Sequence, residues 1–90
     1  MPSLTINDCI VLLIHAVADC LHGEYDLTSD GVPRIIFTNN SGMKIAVVFL
    51  ASSQQWKAFY PFPAVEQTKK YFTNAGELAN WLHTMGVDVC

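Results

Sequence analysis

Apolar positions along the chain follow two different periodicities, and the changes between them divide the sequence into three stretches. From Ile6 to His22 the run "INDCIVLLIHAVADCLH" is apolar at helical spacing. At about 100° per residue, Asp8, His15, Asp19 and His22 fall into one narrow stripe. Thr5 with Asp8 in the first turn is a helix start, and His22 followed by Gly23 is a stop. The spacing predicts a helix over residues 6–22 with only a narrow polar stripe facing water.

Between Glu24 and Phe72 the pattern shortens to β-type runs separated by turn signals. "EYDLT" leads into "SDGV", where Asp30-Gly31 marks a hairpin, and "RIIFT" follows. The turn "NNSG" precedes "MKIAVVFL", the run densest in β-branched residues, and "ASSQ" turns the chain into "QWKAFYPF". Pro61 and Pro63 end that strand. "TKKYF" is either a short last strand at the sheet edge or an extended lead into a second helix. That helix opens at Asn74 with Glu77 three residues on, repeats Ala75, Leu78, Leu82 and Met85 with Trp81 on the flank, and stops at Gly86. The order is helix, four or five antiparallel strands, helix. The prediction is one α+β domain over residues 1–90, a two-layer sandwich.

Strand parity assigns the faces. Ile45, Val47 and Phe49 alternate with Lys44, Ala46, Val48 and Leu50; Ala58, Tyr60 and Phe62 share a face opposite Lys57 and Phe59. Placing every cation on the exposed side leaves Ile35, Phe37, Ile45, Val47, Phe49 and Tyr60 under the helices. The other face is then open, basic and partly apolar.

Composition adds limits. Apolar residues make up 51% of the chain and charged ones only 14%, which excludes a disordered chain. The longest uninterrupted apolar run, Ile45 to Ala51, is far short of a membrane span, and so is Ile10 to Ile14 of the first stretch. "MPSLTIND" has no basic region ahead of a long apolar segment, so no secretory signal is expected. Three widely spaced cysteines make no disulfide framework, and a reducing, cytoplasmic setting is expected. Cys90 is in no Cys-a-a-X context, so lipidation is not indicated. The net charge of −3 counts against indiscriminate nucleic-acid binding. All five basic residues lie between positions 33 and 70, where Glu66 is the only acid.

The ligand-type residues of the first stretch do not converge. Cys9 and Cys20 share a face with Leu13 and Ala16 but stand about 16 Å apart along a helix axis. A disulfide needs Cα atoms within about 7 Å, so buried free thiols are expected. His15 with Asp19, or Asp19 with His22, supplies at most two ligands at one point, and no zinc-type spacing completes a set. The simpler reading is a solvated stripe in which Asp19 pairs with a histidine, or a helix interface bordered by Val11, Leu12 and Ala18. No nucleophile elbow or phosphate-cradling glycine pattern is present, and Asp26 and Asp30 sit where a hairpin turn favours aspartate. No enzyme activity, cofactor or metal is expected.

The aromatic and cationic sheet carries more. "QWKAFYPF" and "KKYF" interleave rings with lysines, a composition suited to stacking bases or to an interface hot spot. In its order of elements the chain resembles the double-stranded-RNA-binding domain. That family carries paired lysines at the start of its last helix, whereas Lys69-Lys70 precede "NAGELANW" here. Trp56, Tyr60, Phe62 and Phe72 are alternatively core. In size, compactness and α/β make-up the chain is similar to small phage-encoded inhibitors of host defence (anti-CRISPR proteins), immunity proteins and secretion chaperones. The expectation is a non-enzymatic domain that binds and blocks or modulates a partner protein bearing an acidic patch. Arg34, Lys44, Lys57, Phe59, Lys69 and Tyr71 are the candidate contact residues. Nucleic-acid binding by the same face is the second reading, and self-association through a sheet edge or the first helix is a related one.

Overall fold

A computed structural model describes residues 6–62 and 64–88, with side chains from residue 9 onward. Thr5, Pro63, Cys90 and the side chain of Asp8 therefore lie outside what it describes. The elements are α1 (Ile6–Cys20), β1 (Glu24–Leu27), β2 (Pro33–Thr38), β3 (Lys44–Leu50), β4 (Gln55–Tyr60), β5 (Thr68–Phe72) and α2 (Ala75–Thr84). The five strands form one antiparallel meander in the order β1-β2-β3-β4-β5, so β1 and β5 are its edges. This is the α+β arrangement that the sequence pattern predicts, with "TKKYF" as a true fifth strand.

The helices cover one sheet face. Ile35 lies opposite Val47, Phe37 opposite Ile45, Val47 opposite Ala58, and Trp56 opposite Phe72. These residues close against Ile14, Val17, Ala18 and Leu21 of α1 and Leu78 and Leu82 of α2 in a single core. Burying such side chains stabilises by about 1.5–3 kcal/mol each. Trp81 of α2 packs between Tyr60 and Phe72, with ring centroids 5.3 Å away in both cases.

α1 ends earlier than the apolar run implies. It closes at Cys20, and His22 adopts the left-handed conformation at φ 59°. The Gly23 N–H donates to the Ala18 carbonyl at 2.8 Å, the long bond of a Schellman cap. His22 thus supplies the positive φ expected of the glycine. Gly23 is required for another reason: a Cβ there would lie 2.3 Å from Cγ2 of Ile35. The chain passes so close to the core that only glycine fits.

α1 also exposes more than a narrow stripe. Cys9, Leu12, Leu13, His15, Ala16, Asp19 and Cys20 all face outward, with Leu12 57% and Leu13 39% exposed. The expectation of buried thiols is corrected, because Cys9 and Cys20 are both exposed. The cause is geometric. The helix turns one face to β1 and β2, and α2 does not close over its flank. An apolar groove of about 240 Å³ remains between Cys20 and the small residues Ala75, Gly76 and Ala79.

The two turn clusters do different work. Asn74 caps α2 by accepting from the Glu77 N–H at 2.8 Å. Glu77 answers one residue further out than a capping box requires, accepting from the N–H and hydroxyl of Thr73. Asn39 organises the β2–β3 turn. Its Oδ1 accepts from Ser41 and Met43 N–H, while its Nδ2 donates to the Met85 carbonyl at 3.0 Å. The Asn40 N–H donates to the Gly86 carbonyl at 2.9 Å, so this turn clamps the end of α2.

Candidate functional surface

The face of the sheet opposite the helices is built by register. Across it run the pairs Glu24–Ile36, Ile36–Ala46, Ala46–Phe59 and Phe59–Lys69, one residue from each strand in turn. The neighbouring positions are Asp26–Arg34, Val48–Lys57 and Lys57–Tyr71. Lys44 stands opposite Thr38 on the same face. All six candidate residues, Arg34, Lys44, Lys57, Phe59, Lys69 and Tyr71, therefore share this one surface.

The surface is not uniformly basic. Arg34 pairs with Asp26 across the first hairpin, Nε to Oδ2, which neutralises it. With Glu24 also on β1, the charge runs from acidic at that edge to basic at the β4–β5 edge. Lys44, Lys57 and Lys69 hold the basic half, and no carboxylate pairs with them among the described residues.

Phe62 departs from the sequence reading. Parity placed it beside Tyr60 under the helices, but the ladder cannot continue through Pro61, which has no N–H. The Phe62 N–H instead donates to the Lys44 carbonyl at 2.9 Å. Its ring lies over the open face, with the Arg34 guanidinium carbon 4.6 Å from the ring centroid and Phe59 edge-on at 6.4 Å. The Lys57 ammonium stands 6.0 Å from the Phe59 centroid. Phe59 and Phe62 thereby form an aromatic ridge flanked by cations, the arrangement that favours cation–π attraction. Next to it Ala46, on the open face, is wholly buried.

Lys70 also departs. It pairs with Ala58, a core residue, and so belongs to the helix side of β5 rather than to the open face. Because β5 is an edge strand and Lys70 is exposed, its charge stays in water on either side. Of the remaining aromatic candidates, Trp56 and Phe72 are buried and Tyr60 packs on the core, whereas Tyr71 is 51% exposed.

The α1 stripe is not a converging ligand set. The ring of His15 stacks on Tyr25 at 3.8 Å between centroids and 19° between planes. Among the described residues no group of three or more His, Cys, Asp or Glu side chains comes together in a way that would hold an ion. No helix among them is long and apolar enough to cross a membrane.

Asp26 and Phe62 are the surface residues that sequence reasoning missed. The first was legible in principle, because an Asp-Gly hairpin sets Asp26 across from Arg34 once its loop length is known. The second was hidden by the proline that breaks strand parity. No family model, curated protein or solved structure matches the chain.

Proposed function

We propose that this domain binds another protein through the open sheet face, at the half formed by β3, β4 and β5. The observation that carries this reading is the half-buried ridge of Phe59 and Phe62 on the open face, with the exposed Tyr71 on the same face and Lys44, Lys57 and Lys69 around it without a carboxylate partner among the described residues. Rings fixed on a rigid sheet supply contact area at small entropic cost, and the lysines steer an acidic patch onto them. The action proposed is steric. A small domain occupies its partner's surface and blocks or modulates it, as a phage-type inhibitor or an immunity protein would, in the cytoplasm and without catalysis.

The test is affinity capture from the native source, comparing the wild-type chain with a Lys44→Glu/Lys57→Glu/Phe59→Ala variant and with Asn80→Lys on the exposed side of α2. A partner retained by wild type and Asn80→Lys but lost by the face variant supports the reading. Equal capture by all three overturns it. If oligonucleotides bind instead, with affinity falling steeply as salt rises, the surface serves nucleic acid.

Self-association is favoured by a separate observation. Cys9, Leu13, Ala16 and Cys20 form an exposed seam at coiled-coil spacing, which reads the same in both directions. Sedimentation that changes with concentration in wild type and not in Leu13→Lys would support a dimer through α1.

A further inference from the structure

The hydrogen-bond phase of the sheet can be followed from one edge to the other. In the β2–β3 turn the Asn39 N–H donates to the Met43 carbonyl at 2.9 Å. Antiparallel ladders alternate, so Phe37–Ile45 and Ile35–Val47 are the hydrogen-bonded pairs of that ladder. The next residues of β3, Ala46, Val48 and Leu50, then turn their amides to Phe59, Lys57 and Gln55 of β4. Trp56, Ala58 and Tyr60 in turn bond Phe72, Lys70 and Thr68 of β5. The first hairpin keeps the same phase, with the Thr28 N–H donating to the Val32 carbonyl at 3.0 Å.

Two residues of β5 are left with both backbone groups directed away from the sheet, Lys69 and Tyr71. Among the described residues nothing in the chain takes up their outward N–H and C=O groups. Thr73 is the next outward position, and its N–H is already bonded to the Glu77 carboxylate, which closes that end. The open edge is therefore short and defined. Its side chains are an exposed lysine on each face, Lys69 beside Phe59 and Lys70 beside Ala58, and the exposed Tyr71.

We propose that an extended, acidic segment of the partner protein adds to β5 as a sixth strand, hydrogen-bonded to the backbone of Lys69 and Tyr71. This rests on the protein-binding reading above and names its mode. Strand addition takes affinity from the main chain and selectivity from alternate side chains. Here lysines on both faces select carboxylates on both faces of the incoming strand. Glu66 before the strand and Glu77 after it repel acids at its ends, which confines the incoming carboxylates to the middle. The same lysines oppose symmetric pairing of two β5 edges, since like charges would face each other across the new ladder. β1 of a second copy is a poorer occupant, because Asp26 is already committed to Arg34.

The experiment uses the full chain and three short end-capped peptides. One repeats Glu-Glu-Val-Val, which puts carboxylates on both faces of a strand, one repeats Lys-Lys-Val-Val, and one is the acidic peptide N-methylated at alternate backbone nitrogens. Amide exchange is followed residue by residue by NMR. The acidic peptide is expected to slow exchange at Lys69 and Tyr71 by about tenfold or more, while Lys70 and Phe72, already bonded to β4, change little. N-methylation and the variant Lys69→Glu/Lys70→Glu are each expected to weaken binding by about tenfold, and the basic peptide is expected not to bind. Equal binding of the N-methylated peptide, or no peptide binding at all, overturns strand addition. Shifts confined to Lys44, Lys57 and Phe59 with no protection on β5 also overturn it, and leave the open-face reading standing. Protection of Lys69 and Tyr71 that grows with protein concentration alone assigns the edge to a second copy and overturns the proposal as well.

Discussion

The two faces of the sheet are built from similar residues and serve different ends. Under the helices stand Ile35, Phe37, Ile45, Val47, Trp56 and Ala58, every one of them buried. On the other side stand Ile36, Val48, Leu50 and Phe59, every one of them half-buried, around a buried Ala46. The difference is not hydrophobicity but what is available to cover it. The helix face is closed by whole elements, so its apolar area goes into stability. Among the described residues, Phe62 and the Arg34–Asp26 pair shelter the open face, which keeps aromatic area in reach of a partner. One sheet thus separates folding from recognition by the parity of its strands.

The largest expected contrast comes from removing a ring on each side. Phe37→Ala leaves a cavity in a fully packed site and should cost about 3–5 kcal/mol in urea unfolding. Phe59→Ala removes a half-buried ring beside solvent and should cost about 1 kcal/mol. Equal losses would break the division between the faces. Gly23→Ala comes next. Its added methyl meets Ile35 at 2.3 Å and the Phe37 ring at 2.7 Å, so the helix exit must shift at a cost of about 1–3 kcal/mol. Asn39→Ala should follow at about 1–2 kcal/mol, because it frees two turn amides and the Met85 carbonyl that clamps α2. Faster amide exchange confined to the last turn of α2 would check that mechanism.

These sites also mark what was legible in the chain. The helix–sheet–helix order followed from the change of period, and Lys44, Lys57 and Phe59 followed from strand parity, because both depend on local spacing; Arg34 followed from placing cations outside, and Lys69 and Tyr71 from the sheet edge. Parity failed where the ladder is interrupted: Pro61 releases Phe62 to the opposite face. Placing every cation on the open face misled at Lys70, since an edge strand solvates a charge on either side and imposes no choice. The thiols of Cys9 and Cys20 were misread because the apolar periodicity of α1 does not reveal that α2 packs mainly against β5 and leaves the groove open. Local patterns determine elements; which faces remain uncovered depends on how those elements dock.

The smallest stability effect sharpens the comparison most. Asp26→Asn removes a partly exposed ion pair on the open face and should change unfolding stability by less than about 1 kcal/mol. The amide keeps the shape of the carboxyl and can still accept a hydrogen bond from Arg34. What changes is charge: Arg34 is no longer neutralised, and the basic half of the face extends from Lys57 and Lys69 towards β2. If the face steers an acidic partner, association should quicken by a factor that shrinks as salt rises, while dissociation stays nearly constant. Stopped-flow or surface-binding kinetics at two salt concentrations would read this directly. An unchanged association rate beside unchanged stability would mean that the charge gradient across the open face plays no part in recognition, and the aromatic ridge alone would carry it.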